Sequence, residues 1–223
     1  MHWPFLTMHN QTKIKPLARQ SRSWRWVTER GLRVETGDAT LARFNALVLE
    51  KFAEVESIIP ADGSLLVVLY PGAAVSKALQ SALAAPASTS EAMSGRIQEI
   101  PVVYGGEAGP DLPALAARTG MSKRAFIDAH ASVEYTVAFL GFQPGFAYLR
   151  GLTEALHAPR RTSPRTRVPA GSLAIGGVYT GIYPASGPGG WQIIGQTNAV
   201  LFDAERIPPA LFAPGDRVRF VPQ

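Results

Sequence analysis

The 223-residue chain contains no cysteine. That absence removes disulfide staples, thiol catalysis and Cys-ligated zinc together. Histidine is scarce too: His2 and His9 lie near the start, His130 and His157 are far apart, and no HExxH occurs. No metal site is therefore expected. There is no GxxxxGK[ST], so any nucleotide has to be held without a P-loop, and no GxSxG, which excludes the usual serine-hydrolase elbow. No run approaches the ~20 apolar residues of a membrane span, and no continuous secretory apolar region is present, so a cytoplasmic, non-membrane protein is expected. Charged residues make up only 17% of the chain against 46% hydrophobic, the balance of a globular protein able to bury a core.

The net charge is +5, with a pI near 9.7. Its distribution matters more than its size. Residues 1–30 hold Lys13, Lys15, Arg19, Arg22, Arg25 and Arg30 against Glu29, which accounts for all +5. From Gly31 onward, 16 basic residues balance 16 acidic ones. The folded part thus lacks the basic field that drives nucleic-acid binding. Residues 1–30 also carry Trp3, Trp24 and Trp26 but no repeating apolar face, and read as a basic, disordered leader.

Residues 31–95 read as a small α/β domain and linker. LRVET is a strand candidate, Leu41, Phe44, Leu47 and Phe52 recur at helical spacing, SLLVVLY is a second strand, and a second helix runs from about Val75 to Leu83. This strand-helix-strand-helix order suits a ferredoxin-like half-domain. PASTSEAMSG has a linker's composition. From residue 96 the style changes. A strand at Ile100–Tyr104 leads to two short helices, one capped by Asp111 and stopping at Gly120, the other capped by Ser122 and ending at His130. Beyond them TVAFLGF, SLAIGG, YTGIYP, GWQIIG, NAVLFD and DRVRFV read as short strands of a barrel or sandwich.

Three segments carry candidate chemistry. In TVAFLGFQPGFAYLRGL, Gly141, Pro144 and Gly145 interrupt a strand and expose backbone amides between Phe142, Gln143, Phe146 and Tyr148. An alternative is a tight barrel corner with its aromatics in the core. APRRTSPRTRVPAG places Arg160, Arg161, Arg165 and Arg167 together without one acid, an anion-binding pattern or a solvated basic loop. Gly189, Gly190 and Trp191 form a turn that admits close approach beside a flat ring. His130, at a helix end next to the GFQPGF strand, is an acid-base candidate or a structural histidine. LAARTGMSKRAFIDAH mimics a helix-turn-helix, but the neutral body favours an ordinary helical hairpin.

Taken in order and spacing, IPVVYGGEAGPDL, the His130 helix end, FLGFQPGFAYLRGL, APRRTSPRTRVPAGS, TGIYP, GPGGWQIIGQT and PGDRVRF resemble the family of the 5-oxoprolinase B subunit, also called KipI or allophanate hydrolase subunit 1, of carboxyltransferase-domain type, subdomains C and D. The resemblance is dense over about the last 125 residues and loose before them. It departs at Gln143, where small residues are frequent, at Gln196, where an arginine commonly stands, and at Tyr70-Pro71-Gly72.

The resemblance implies an α+β fold: the small ferredoxin-like domain, then a cyclophilin-like β-barrel over 96–223. It implies a non-autonomous hydrolase subunit that opens 5-oxoproline to glutamate with the A and C subunits, using ATP and magnesium at a shared site and passing through a phosphorylated lactam. His130, Arg161 and Arg165 are then the expected catalytic residues. Gly141, Phe142, Gln143, Pro144, Gly145, Phe146, Tyr148, Arg160, Gly189, Gly190 and Trp191 are the expected substrate-binding residues, with arginines on carboxylate or phosphate and loop amides on developing negative charge. A KipI-like inhibitor of a sensor histidine kinase is the alternative. A proline isomerase, suggested by fold analogy alone, is weaker still.

Overall fold

The computed structural model describes residues 23–85 and 95–223. The first part of the chain forms strands β1 (Trp24–Trp26), β2 (Gly31–Glu35), β3 (Val55–Ala61) and β4 (Ser64–Leu69), with helices α1 (Thr40–Glu50) and α2 (Lys77–Ala84). Its sheet is antiparallel in the order β1-β2-β4-β3. Leu32, Val34, Leu65, Val67 and Leu69 alternate inward from the strands and meet Leu47, Leu79 and Leu83 of the helices in a separate apolar core. Ser76 caps α2 by accepting from the Leu79 amide.

Two expectations for this region change. The leader expected over 1–30 does not extend to its end as an appendage: Trp24–Trp26 pairs with Val34–Leu32, and Trp24 packs on the small core. The rest of the leader, like most of the PASTSEAMSG segment, lies outside the described residues. A strand unseen in the sequence, β3, forms a hairpin with β4 across Asp62-Gly63. Pro60 reads as a breaker, but β3 is an edge strand, where proline is tolerated.

The remaining chain supplies β5 (Ile97–Tyr104), α3 (Leu112–Arg118), α4 (Lys123–Ala131), β6 (Tyr135–Leu140), β7 (Ala147–Arg150), β8 (Arg165–Val168), β9 (Ser172–Gly176), β10 (Tyr179–Ile182), β11 (Gly187–Gly189), β12 (Gln192–Gln196) and β13 (Arg217–Pro222). Seven of these strands close a barrel in the order β10-β7-β6-β13-β5-β12-β9, and β8 pairs with β11 in a separate ribbon. The fold is therefore α+β. Strand β13 pairs β5 in parallel, so the last strand locks the first and no edge is left at that seam. The α3–α4 hairpin delivers Leu112, Leu115, Ala116 and Phe126 into the barrel core, which settles the helix-turn-helix mimic as a packing element. NAVLFD is not a strand; only Phe202 makes an isolated bridge, to Ala210.

The two parts meet where β3 lies beside β6, with polar contacts across the joint. The Tyr179 hydroxyl donates to Asp62 Oδ1 at 2.7 Å, and the Arg150 guanidinium lies 3.6 Å from the same carboxylate. Among the described residues no helix is long and apolar enough to cross a membrane.

Candidate functional site

The segments singled out in the sequence converge on one face of the barrel. Arg165 of β8 pairs in register with Gly189 of β11, and the Arg161 amide donates to the Gly190 carbonyl at 2.7 Å. The arginine loop is thereby laid along the GPGGW turn. Between that turn and the GFQPGF corner lies a cleft of about 80 Å³, lined by Phe142, Phe146, Tyr148, Arg160, Tyr183, Gly189, Gly190 and Trp191. The sequence signals all of these except Tyr183, which stands in the TGIYP segment, because a lone tyrosine in a strand carries no signal of its own.

The walls are aromatic and meet edge to face. Phe146 stands at 5.3 Å and 88° to Trp191 and at 5.3 Å and 78° to Tyr183, while Tyr148 meets Trp191 at 5.5 Å and 74°. Glycines permit this packing. A Cβ on Gly176 would overlap the Trp191 indole, and one on Gly189 would overlap the Tyr183 ring. Phe142 sits at the corner with φ +69° and is 59% exposed, a left-handed conformation uncommon for a side chain of its size. Burial pushes the Tyr183 hydroxyl pKa up, opposed by a hydrogen bond from the Trp191 backbone and by the charge of Arg160.

The arginines divide into two kinds. Arg165 forms a two-pronged ion pair with the nearly buried Asp111, at 2.9 and 2.8 Å, and Arg161 approaches the same carboxylate at 3.4 Å. Asp111 also accepts from the Ile193 amide at 2.7 Å. Its side chain makes no cap hydrogen bond to α3, so the expected N-cap is a clamp between the arginine loop and β12. Arg161 and Arg165, expected as catalytic, are thus paired internally and act on the walls of the cleft. Arg167 donates to Ser186 Oγ. Arg160 has no carboxylate partner among the described residues; its guanidinium carbon stands 5.9 Å above the Trp191 ring at the mouth of the cleft.

His130 is also corrected. It is fully buried in the barrel core, stacked at 5.1 Å on Phe220, and lines no part of the cleft. The Thr180 hydroxyl donates to the Ala174 carbonyl at 3.0 Å, so it accepts from His130 Nε2–H at 3.1 Å. Nδ1 then accepts from the Tyr104 hydroxyl at 2.9 Å. Both ring nitrogens are occupied in the neutral state, and burial drives the pKa down to about 3. A neutral, saturated imidazole sealed from solvent has no proton to exchange with a substrate.

The GFQPGF corner is not an open ring of amides either. The Gly141, Gln143 and Phe146 amides donate to Phe146, Gly141 and Gln143 carbonyls, and Pro144 has none, so at most the Phe142 and Gly145 amides are left. Gly141, Gln143, Pro144 and Gly145 shape the corner without lining the cleft. The Gln143 side chain packs against Gly187, with its buried Oε1 unpartnered among the described residues. Gln196 donates to the Ala170 carbonyl and borders a separate, larger depression of about 660 Å³. No group of three or more His, Asp or Glu among the described residues is placed to hold a metal ion.

Fold and site together define a domain of carboxyltransferase type: a closed barrel with an aromatic cleft, preceded by a small α/β unit. The urea carboxylase of Kluyveromyces lactis shares this fold, with a TM-score of 0.63 over 90% of this chain and 21% of that one, at 19% identity. Residues 13–212 match the family described as carboxyltransferase domain, subdomain C and D, and the chain belongs to that family. It is 59% identical over 136 residues to the 5-oxoprolinase B subunit of Escherichia coli O157:H7, covering 60% of this chain and 62% of that protein. The crystal structure of TTHA0988 superposes with a TM-score of 0.72 at 36% identity, over 87% of this chain and 40% of that one. The matches span between 52% and 62% of the length of the 5-oxoprolinase B subunits of E. coli, Haemophilus influenzae and Bacillus subtilis.

Proposed function

We propose that the chain is the B subunit of an ATP-dependent 5-oxoprolinase, a non-autonomous subunit that works with the A and C subunits to open the lactam of 5-oxoproline to glutamate. One observation carries the reading. Four of the segments that resemble the 5-oxoprolinase B subunit, FLGFQPGFAYLRGL, APRRTSPRTRVPAGS, TGIYP and GPGGWQIIGQT, come together as the walls of one cleft, and a protein of that name is 59% identical over 136 residues. A cleft of about 80 Å³ is far below the ~300–1,000 Å³ of sites for drug-sized ligands, so it does not enclose a nucleotide.

The larger depression does not fit ATP either. Pro101, Val103, Ala108, Gln196, Thr197, Asn198, Ala199 and Gln223 line it, with no cationic side chain for phosphate. We therefore place ATP with its magnesium, and formation of the phosphorylated lactam, on the partner side of the complex, and assign this chain the role of holding the ring. The order β2-β4-β3, with α1 and α2, supports reading the small domain as a ferredoxin-like variant whose far edge is taken by β1. The barrel is read as cyclophilin-like.

The test is 5-oxoproline-dependent ADP release by this chain co-expressed with the A and C subunits, with omission of this chain as control. Activity that disappears on omission supports the reading. A complete, folded complex without activity overturns it and brings forward binding to a sensor histidine kinase.

A further inference from the structure

We infer that Asp62, in the small domain, is a positioning residue for the cleft on the barrel. By holding the Tyr179 hydroxyl it fixes the aromatic layer behind Tyr148 and Trp191, so the seating of the small domain sets how firmly the cleft holds a ligand. The link itself stands on geometry; its effect on turnover of 5-oxoproline rests on the proposed function.

Three observations carry it. The first is where the contact falls. Asp62 stands in the turn between β3 and β4, lines no part of the cleft, and accepts from the Tyr179 hydroxyl of β10 at 2.7 Å. Burial pushes the Tyr179 pKa up, so the hydroxyl keeps its proton and remains a donor. The second is the company Tyr179 keeps. It shares an apolar cluster with Phe146, Tyr183 and Trp191, three walls of the cleft, and that cluster is separate from the barrel core. Its ring meets Tyr148 edge to face at 5.6 Å, and Tyr148 in turn meets Trp191 at 5.5 Å. Two rings therefore separate the Asp62 carboxylate from the Trp191 indole. The third is a second strut on the same strand as the wall. Arg150 lies two residues after Tyr148 on β7, on the same face, with its guanidinium 3.5 Å from the Tyr179 oxygen and 3.6 Å from Asp62.

Close packing makes the link effective. A layer of interlocked rings has little free volume, so a shift of Tyr179 is passed to Tyr148 and not absorbed. The coupling is bounded by the contact that drives it, since small domain and ligand can bias one another by no more than that contact is worth.

The experiment compares the full wild-type chain with Asp62→Ala, Asp62→Asn, Tyr179→Phe, the double variant Asp62→Ala/Tyr179→Phe and the control Glu35→Ala, whose carboxylate pairs with Arg33 on its own strand. NMR follows the Trp191 indole N–H and the Tyr148 ring, and KM and kcat for 5-oxoproline are measured in the assembled complex. Asp62→Ala is expected to move both wall resonances. The double variant should move them no further than Tyr179→Phe alone, the signature of two residues acting through one contact. Asp62→Asn keeps an acceptor for the hydroxyl and should stay near wild type, as should Glu35→Ala. KM is expected to rise about 2- to 10-fold in Asp62→Ala and Tyr179→Phe, the range of one net hydrogen bond, with less change in kcat.

Wall resonances that keep their wild-type positions in Asp62→Ala overturn the inference, as do additive shifts in the double variant or an unchanged KM in an active complex. If Asp62→Ala does not fold, Tyr179→Phe breaks the same bond from the barrel side, and an unchanged Trp191 resonance there overturns the inference equally. A wild-type complex without turnover removes the oxoprolinase reading, while wall resonances that move in Asp62→Ala still uphold the link.

Discussion

At His130 both imidazole nitrogens have partners, and burial holds the folded-state pKa near 3 against ~6.5 for a free histidine. As pH falls below ~6.5, the unfolded chain takes up a proton that the folded chain refuses. The stabilisation is therefore complete above ~6.5 and is lost toward pH 3 by at most ~1.4 kcal/mol per pH unit. Denaturant unfolding of wild type and His130→Phe between pH 7 and 4 should show a steeper acid decline in the wild type. Parallel declines would refute the neutral, buried assignment. At pH 7 His130→Phe is expected to be less stable, because Tyr104 and Thr180 each lose a partner.

Asp111 acts at the scale of elements. One carboxylate joins the start of α3, the β12 backbone at Ile193 and the loop that carries the arginines. Removing it leaves two guanidinium groups and one amide without their acceptor. Asp111→Ala is expected to cost ~2–4 kcal/mol in denaturant unfolding, less than the ~3–5 of a fully buried pair because both arginines keep some solvent access. Asp111→Asn retains an acceptor for the Ile193 amide and should cost less. Equal stability of Asp111→Ala and wild type would remove the clamp.

For the whole molecule, the small domain and the barrel keep separate apolar cores and meet where β3 lies beside β6, with the Tyr179 hydroxyl on Asp62 and the Arg150 guanidinium near Asp62 and Asp38. The hydrogen bond from Tyr179 is worth ~0.5–1.5 kcal/mol of that joint. Tyr179 also packs at 5.6 Å against Tyr148 in the wall of the cleft, which places the joint directly behind the site. In Tyr179→Phe, amide exchange should quicken in the β3–β4 hairpin while the core strands β9 and β12 stay protected. Uniform quickening would mean that the two units unfold as one.

Local signals in the sequence determined the barrel's short strands, the Ser122 cap and the segments that wall the cleft, because capping residues, glycine, proline and alternating apolar residues act within a few positions of where they stand. The same signals failed at β3, β8 and β11, which are edge or ribbon strands held by their partners and not by their own residues. Only the tertiary structure decided the roles of the charged and titratable groups. Four arginines within eight positions look equivalent along the chain, yet Asp111, about 50 residues upstream, pairs with Arg165 and, more loosely, Arg161, while Arg160 lines the cleft. His130 lost its candidate role in the same way. Whether a side chain is free, paired or sealed depends on what the fold brings against it from distant positions, and electrostatics and burial are properties of that assembled neighbourhood.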